Sequence, residues 1–428
     1  MTEILSGVDT LVRLLILRHQ LDERDGLRSA TMVSGYPGSP LGGFDLTMEH
    51  MNDVLAAHRI IHRPGLNEEL AAATVWGSQM GAVICYDGVD GVAGAWYGKG
   101  PGLDRCGDAL KHANAMGAGP NGGAVMFCGD DPAAKSSTLA CDSQYTFQDA
   151  YVPVLFPADQ QDVLDLGVHA FRLSRYAGAW VGLKIVTAVA DGIGTVDLDP
   201  GRHRPSDPGD VVIDGQPWRH QPLATIGPHA VPDQEALVLD RRLRAARAYA
   251  RHNGLDRVAG AGPGARLGVV CAGKTYLDVI QALADLGLGL ADLAGTGIRI
   301  LKLGMTYPLA EDTIGEFAAS VGEVVVIEEK RPFVETQLRA ILHEAGSRVP
   351  VLGKRDRSGQ ALAPFAGELD PAAVAEILTR VLPRGPALAP RREKTRLPLL
   401  ELPRRWPGGT TSPAPPRALA GVLQRVPA

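Results

Sequence analysis

The sequence predicts an α/β protein built from two successive doubly wound parallel-sheet domains. Up to about residue 200, short apolar runs typical of strands alternate with longer runs typical of helices. The same alternation resumes after residue 266, beyond a stretch rich in Pro, Asp, Gly and His. Strands that alternate with helices form parallel sheets covered on both faces. The sequence accordingly divides into 1–200, a first domain; 201–265, a linker with a charged helix; 266–382, a second, smaller domain; and 383–428, a Pro/Arg-rich flexible tail.

The elements of the first domain are predicted from apolar runs and their period. Residues 4–21 have the pattern of an amphipathic helix, and the charges within it exclude a signal peptide or a membrane span. The apolar runs predict strands at 31–33, 82–86, 124–128, 152–155 and 180–187. The helices predicted between them are 44–58, 68–81, 104–116 and 160–174.

The second half is predicted in the same way. A charged helix at 234–253 and a Gly-rich hinge at 260–264 lead into it. The predicted strands are 267–271, 298–303 and 323–328. The predicted helices are 276–286, 311–321 and 334–345.

Composition and charge narrow the classes of function. The net charge is −5 and the pI is about 6.1, so the chain has no global basic field for nucleic acid. The five cysteines are scattered without a C-x-x-C pair, which argues against an iron–sulfur cluster held by this chain alone and favours the reducing cytoplasm. The sequence has no metal-binding His pattern and no apolar run of about eighteen residues, so it predicts neither a metal site nor membrane attachment.

Two turns that follow predicted strands carry polar residues. The run SGYPGSP at 34–40 exposes a tyrosine and a serine hydroxyl on a rigid Gly/Pro turn. The run GDD at 129–131 follows another strand. Because pockets in open α/β sheets form at the carboxyl ends of strands, we expect the two turns to share one crevice.

A carboxylate opens the helix predicted at 68–81. Asn67 precedes Glu68 and Glu69, and mostly small residues follow. From spacing alone, Asn67 caps the helix and the two glutamates only favour its positive end. The alternative is a partly desolvated carboxyl that shares a proton with a cofactor ring. That alternative depends on the wider pattern of motifs.

Ten motifs follow one another along the chain: 35–43, 67–77, 99–105, 108–112, 129–138, 272–278, 303–309, 328–333, 353–356 and 367–369. In this order they resemble the thiamine diphosphate-dependent 2-oxoacid:ferredoxin oxidoreductase superfamily. Within it they are most similar to the first half of the large indolepyruvate:ferredoxin oxidoreductase-type proteins. The resemblance implies that the first domain is a pyrimidine-binding-type thiamine domain and the second a transketolase C-terminal-like domain.

The resemblance also implies roles for individual residues. Glu68 would bond the ring nitrogen of the aminopyrimidine and activate the cofactor, with Tyr36 and Pro37 beside it. Ser39 would contact the carboxylate of the 2-oxoacid. The other substrate-binding residues implied are Arg105, Lys135, Ser136, Ser137 and Thr138. Taken without the resemblance, the same residues also suit an ordinary turn serine, a capped helix start and a solvated arginine.

One segment departs from the family pattern. Relatives continue the Ser-Ser-Thr run with Pro-His-Gln-Ser-Glu, whereas this chain has Ala140-Cys141-Asp142-Ser143-Gln144. The loss of the histidine predicts either a different substrate or a relaxed site. A nucleophilic role for Cys141 is not expected, because no base is placed beside it.

The resemblance implies an α-type subunit that oxidatively decarboxylates an aryl or branched 2-oxoacid such as indolepyruvate and is inactive alone. A partner subunit would bring the diphosphate-binding domain, Mg²⁺ and Fe–S clusters. Ferredoxin or another acceptor would take the electrons, and an oligomeric assembly is expected. Two alternatives stay open: a subunit of a non-oxidative thiamine-dependent decarboxylase or carboligase, and a non-catalytic assembly subunit.

Overall fold

The computed structural model describes residues 2–82, 86–223, 231–289 and 293–382. These residues lie within one compact unit that spans 1–389. Parallel strands alternate with helices, so the predicted α/β class is confirmed. The division into domains at residues 200 and 266 stays a prediction. In the described part of the chain, no helix is both long enough and apolar enough to cross a membrane.

In chain order the first half contains β1 (Thr2–Ser6), α1 (Gly7–Arg24), β2 (Ser29–Gly35), α2 (Phe44–His50), α3 (Asn52–Ala57), β3 (Ile60–His62), α4 (Glu68–Ser78), β4 (Gly91–Lys99), α5 (Gly100–Arg105), α6 (Gly107–Met116), β5 (Ala124–Asp130), α7 (Gln144–Asp149), β6 (Val154–Leu155), α8 (Gln160–Ala177), β7 (Val181–Val186), α9 (Thr187–Ala190) and β8 (Ile193–Asp197). The second half contains β9 (Val212–Ile213), β10 (Gln216–Pro217), α10 (Val231–Ala236), α11 (Arg242–His252), β11 (Arg257–Gly260), β12 (Leu267–Ala272), α12 (Lys274–Asp285), α13 (Leu293–Thr296), β13 (Ile298–Leu303), β14 (Met305–Tyr307), α14 (Glu311–Ala319), β15 (Val324–Val326), α15 (Phe333–Glu344), β16 (Val351–Leu352) and α16 (Pro371–Val381).

The larger sheet has seven strands in the order β14-β6-β7-β5-β4-β2-β3. All neighbours pair in parallel except β14, which runs antiparallel to β6. Every residue of β5 and of β7 is buried, as expected for central strands covered on both faces. The carboxyl ends of β2, β4 and β5 therefore meet at one edge of the sheet.

The second sheet has five strands in the order β11-β13-β12-β15-β16, with β11 antiparallel and the others parallel. Its strand β13 leads directly into β14, which pairs with the first sheet through Met305 opposite Leu155. The side chain of Asp256 holds this crossing, because its Oδ1 accepts the backbone N–H of Gly304 at 2.9 Å. The chain thus passes from one sheet to the other within two residues.

Most predicted elements are present, but several boundaries differ. The helix expected at 4–21 begins only at Gly7, because Ser6 and Asp9 form a capping box and the residues before them form β1. The helices expected at 44–58 and 104–116 are each two helices. The charged helix expected at 234–253 is α10, a π-helical turn and α11.

One strand prediction is wrong in its described part. Residues 83–85 of the strand expected at 82–86 lie outside the described residues, and Met80–Ala82 is a 3₁₀ turn. The strand between β2 and β5 is instead β4, which the sequence analysis does not predict. The tail at 383–428 also lies outside the described residues.

The predicted linker contributes to the core. Arg242 of α11 is only 1% exposed and donates to the backbone carbonyl of Ala115 at 3.2 Å. Leu243 and Tyr249 belong to the same hydrophobic cluster as the first sheet. The reason is that one face of the charged helix is apolar and packs against α8.

Candidate active site

Two loops meet at the carboxyl edge of the first sheet. The turn after β2 places the Ser39 hydroxyl 2.5 Å from the hydroxyl of Ser136, in the loop after β5. Gly129, at the end of β5, lies so close to this turn that an added Cβ would be 2.8 Å from Cδ of Pro40. The turn at 36–40 therefore lies against the end of β5 and the loop that follows it, and the shared crevice stays a prediction.

Glu68 lies on the first turn of α4. Asn67 caps this helix, since its side chain accepts the N–H of Leu70 at 2.9 Å, and the Trp96 indole donates to the Glu68 carbonyl at 3.0 Å. The Glu68 side chain is half-buried, and its carboxylate forms no hydrogen bond or ion pair with any other described residue. It is therefore available to a ligand.

The absence of a side chain at Gly102 makes room for this carboxylate. An added Cβ on Gly102 would lie 2.8 Å from Oε1 of Glu68, closer than a real Cβ approaches. The nearby Cys106 thiol is buried, and burial, together with the charges of Glu68 and Glu69, raises its pKa to about 12. Cys106 is thus a neutral neighbour and not a competing anion.

Helix α5 connects Glu68 to the loop after β5. Gly102 faces Glu68, while an added Cβ on Gly100 would lie 2.8 Å from Cβ of Cys141 and 3.1 Å from Oδ1 of Asp130. The described contacts do not join Glu68 directly to Ser39. The two groups are brought to the same sheet edge by this short helix.

Asp131 organises the loop that carries the predicted substrate residues. Its carboxylate, 1% exposed, accepts the backbone N–H groups of Lys135, Ser136 and Ser137 at 3.0, 2.8 and 3.1 Å. Burial would raise the pKa of Asp131, but these hydrogen bonds lower it overall. The Ser136 hydroxyl also donates to Asp131 Oδ2 at 3.4 Å, so the Asp131 carboxylate fixes the loop through three backbone N–H groups and one side chain.

The second half of the chain reaches this loop. Lys135 Nζ lies 2.8 Å from Oε2 of Glu368, whose other oxygen is 3.5 Å from Lys274 Nζ. The Lys330 ammonium donates to the backbone carbonyl of Pro132. Three of the sequence motifs in the second half, 272–278, 328–333 and 367–369, thus converge on the loop of the first.

A buried ion cluster that the sequence analysis does not predict lies under the loop. Lys184 of β7 is 6% exposed, and its Nζ lies 2.9 Å from Asp142 Oδ1 and 3.3 Å from Asp130 Oδ2. Burial raises the pKa of Asp130. Burial would also raise the pKa of Asp142, but the positive charge of Lys184 and the hydrogen bonds to Asp142 outweigh it, so the pKa of Asp142 is lowered. One feature of the sequence indicates this cluster: Lys184 interrupts the apolar run VGLKIV, and a lysine in a buried strand needs an acidic partner.

The departure from the family pattern is part of this cluster. Ser143 donates to Asp130 Oδ2 through both its backbone N–H and its hydroxyl, each at 2.9 Å. Burial raises the pKa of the Cys141 thiol to about 11, with Asp130 and Asp104 adding to the effect. A protonated thiol is a poor nucleophile, in agreement with the expectation for Cys141.

The remaining predicted residues are at the surface. Tyr36 is 41% exposed, and Pro37, Thr138 and Arg105 are exposed as well. Arg105 forms no ion pair with another described residue. In the described ranges no group of three His, Cys, Asp or Glu side chains is placed to hold a metal ion.

Comparison with known proteins agrees with the motifs. Residues 256–394 match the family described as the indolepyruvate oxidoreductase domain. The indolepyruvate oxidoreductase subunit IorA of Methanothermobacter thermautotrophicus is 29% identical over 349 residues, 80% of this chain and 51% of that protein. IorA of Thermococcus kodakarensis is 25% identical over 409 residues, 88% of this chain and 57% of that protein.

Solved structures show the same fold. A 2-oxoglutarate:ferredoxin oxidoreductase from Magnetococcus marinus matches with a TM-score of 0.62 and 14% identity, over 89% of this chain and 65% of its own. A split-gene transketolase matches with a TM-score of 0.50 and 13% identity, over 90% of this chain and 99% of its own. The chain is similar to the indolepyruvate oxidoreductase subunits named IorA and has the fold of a 2-oxoacid:ferredoxin oxidoreductase. The resemblance predicted from the motifs is confirmed.

The relationship to IorA covers only part of those proteins. The chain spans about half the length of the curated IorA relatives that it matches. Within this chain, the matched indolepyruvate oxidoreductase domain contains Lys274, Lys330 and Glu368, the residues that reach the loop at 131–138. Ser39 and Glu68 lie outside that domain, in the first half of the chain.

Proposed function

We propose that this chain is the α-type subunit of a thiamine diphosphate-dependent 2-oxoacid:acceptor oxidoreductase. The reaction would be the oxidative decarboxylation of an aryl or branched 2-oxoacid such as indolepyruvate. The observation that carries the proposal is the Glu68 carboxylate, which is half-buried, has no partner among the described residues and lies beside the space left by Gly102. Its motif belongs to the family resemblance that the comparisons support.

The residues around Glu68 fit the pyrimidine end of the cofactor. A carboxylate without an intrachain partner can accept or share a proton with a ring nitrogen, and partial burial favours such sharing. Tyr36 and Pro37, exposed at the neighbouring turn, would contact the same ring. When bound, thiamine diphosphate supplies the nucleophilic carbon and the electron sink of the reaction. The role of Glu68 is to hold the ring and the proton at its nitrogen.

The substrate carboxylate would be bound on the other side of the crevice. The paired hydroxyls of Ser39 and Ser136 and the ammonium group of Lys135 are the donors on the loop. A charged donor forms hydrogen bonds to a carboxylate that are stronger than neutral ones. The remaining candidates, Ser137, Thr138 and the unpaired Arg105, would complete the contacts to the acid.

On this proposal a partner subunit would supply further parts of the enzyme. The described residues provide no metal-holding group, and the four described cysteines are free, with three of them buried. As the family resemblance implies, we assign Mg²⁺, the diphosphate-binding domain and the Fe–S clusters to the partner, and electrons would pass to ferredoxin or another acceptor. On this proposal the chain is inactive alone and acts in an oligomer.

Affinity purification of this chain from its native cell tests the proposal. The eluate is analysed by mass spectrometry and for thiamine and iron, and the oxidation of indolepyruvate is assayed with a redox dye. Co-elution with a cysteine-rich protein, thiamine and iron is expected. A partner with thiamine but no iron would instead favour the non-oxidative decarboxylase or carboligase. Isolation without thiamine or iron would contradict a catalytic role.

A further inference from the structure

A second cavity lies away from the candidate active site and shares no residue with it. Its volume is about 410 Å³, within the range of small-molecule sites. Helix α8, the segment 202–206 and the chain from the end of α11 to Arg257 enclose it. The lining residues that matter here are Asp165, His203, Arg202, Arg204, Arg257 and His252.

The cavity concentrates positive charge in a chain whose net charge is −5. Three guanidinium groups face it, and Asp165 is the carboxylate among its lining residues. Arg202 is satisfied by Asp165 and Asp197, with N–O separations of 3.6 Å to each. Arg204 and Arg257 form no ion pair or side-chain hydrogen bond with any other described residue. The guanidinium groups of Arg204 and Arg257 are therefore available to a ligand.

A buried histidine adds an unsatisfied polar atom. His203 is 6% exposed, and its Nε2 has no hydrogen-bond partner among the described residues. The nearest carboxylate oxygen, Oδ1 of Asp165, is 3.8 Å away, beyond hydrogen-bond distance. Burial lowers the pKa of His203, against the opposing charge of Asp165, so the ring is neutral at neutral pH and can donate one hydrogen bond. A buried polar atom without a partner destabilises the protein unless a ligand or water satisfies it.

The segment that carries Arg204 is fixed before any ligand binds. Ser206 and Asn253 exchange two hydrogen bonds, at 3.1 and 3.0 Å, and the Ser206 hydroxyl lies 2.9 Å from His252 Nε2. Arg24 of α1 donates to the His203 carbonyl at 3.0 Å. Little conformational entropy would be lost when this segment binds a ligand.

We propose that this cavity binds the phosphate group of a small phosphorylated molecule. The planar, always charged guanidinium group matches the geometry of phosphate oxygens, and two unpaired ones beside a neutral imidazole donor suit a dianion. The volume leaves room for more than the phosphate itself. The inference does not depend on the proposed reaction, since no lining residue belongs to the candidate active site.

Isothermal titration of the full chain with inorganic phosphate and with adenosine monophosphate tests the inference. Both are expected to bind, and Arg204→Gln and Arg257→Gln should each weaken binding about tenfold, the loss of one charged hydrogen-bonding group. Arg348→Gln is the matched control, because Arg348 is exposed, unpaired among the described residues and outside the cavity.

Three results would overturn the inference. The first is that neither phosphate nor adenosine monophosphate binds the native chain. The second is that Arg204→Gln and Arg257→Gln bind as tightly as the native chain. The third is that acetate binds as tightly as phosphate, which would show a general attraction for anions and not a phosphate site. Because both arginines are exposed, the variants are expected to fold, and circular dichroism checks this.

Discussion

The hydroxyl oxygens of Ser39 and Ser136 lie 2.5 Å apart, although 97 residues separate them in the sequence. In such a pair one hydroxyl donates to the other. When Ser136 accepts, its own proton goes to Asp131 Oδ2 at 3.4 Å, and when Ser39 accepts, the Ser39 proton is free for a third group. Asp131 fixes the backbone of Ser136, and Ser39 lies in the turn that follows β2. The pair is thus a prepared donor at the mouth of the proposed active site.

Removal of either hydroxyl should weaken substrate binding. In the assembled enzyme, Ser39→Ala and Ser136→Ala should each raise the KM for the 2-oxoacid about threefold to tenfold, the value of one hydrogen bond. The double variant should be little worse than either single one, because the two hydroxyls act as a unit. Ser347→Ala, at an exposed serine far along the chain, should leave KM unchanged. Fully additive effects would show that the two hydroxyls act independently, and an unchanged KM would show that the pair does not bind the substrate.

A methyl group at Gly102 should disturb Glu68 without unfolding the protein. The added Cβ would lie 2.7 Å from Cγ and 2.8 Å from Oε1 of Glu68, a flexible side chain that can move aside. Gly102→Ala should therefore lower kcat on the order of 100-fold through a misplaced carboxylate and leave the thermal midpoint nearly unchanged. Gly107→Ala is the control, because nothing lies within 4 Å of the Cβ it would add. Equal activities of Gly102→Ala and Gly107→Ala would show that the space beside Gly102 does not position the Glu68 carboxylate.

Asp256 should make stability depend on pH. Burial raises its pKa to about 6, against an ordinary value of about 4, so the folded state holds the proton to higher pH than the unfolded state does. The stabilisation of the folded state by protonated Asp256 is complete below about pH 4 and is lost as the pH rises through about 6. The free energy of unfolding should therefore fall by up to about 3 kcal/mol from this group between pH 4 and 7.

Chemical denaturation at several pH values measures this contribution. Asp256→Asn cannot titrate, and its amide oxygen can still accept the N–H of Gly304, so its stability should fall less over the same range. Asp278 and Glu328, whose pKa values burial raises to about 6 and about 7, act in both proteins and cancel in the comparison. Asp53→Asn, at an exposed site, should follow the native curve. If the stability of Asp256→Asn falls with pH as much as that of the native protein, Asp256 is not the group responsible.

The alternation of apolar runs predicted the fold class, but one central strand was missed. Strand β4 contains three glycines in the run GVAGAWYGK, a composition that resembles a loop. Its glycines are required by tertiary contacts: an added Cβ on Gly94 would lie 2.6 Å from a side-chain carbon of Val75 in α4. Close packing of a helix on the strand is invisible in a local pattern, and it here overrides strand propensity.

In the candidate site, too, continuous motifs can be predicted from the sequence, whereas contacts between distant residues cannot. The order of the motifs predicts roles for Glu68, Ser39 and the loop at 131–138, because each motif is continuous in the sequence. The contact between Lys135 and Glu368 joins residues from the two halves of the chain, and no local pattern indicates it. The cluster around Lys184 depends in the same way on the approach of β7 to the loop at 142–143.

The substitution Glu68→Gln, compared with Glu69→Gln in the complex with the partner subunit, tests the central claim most directly. The two side chains are neighbours of the same length; Glu69 is exposed, whereas Glu68 is half-buried beside Gly102. The account predicts that Glu68→Gln lowers kcat by a factor of about 10² to 10⁴, as expected for loss of a proton-holding group, while Glu69→Gln keeps native activity. A Glu68→Gln complex that oxidises the 2-oxoacid at the native rate would contradict it.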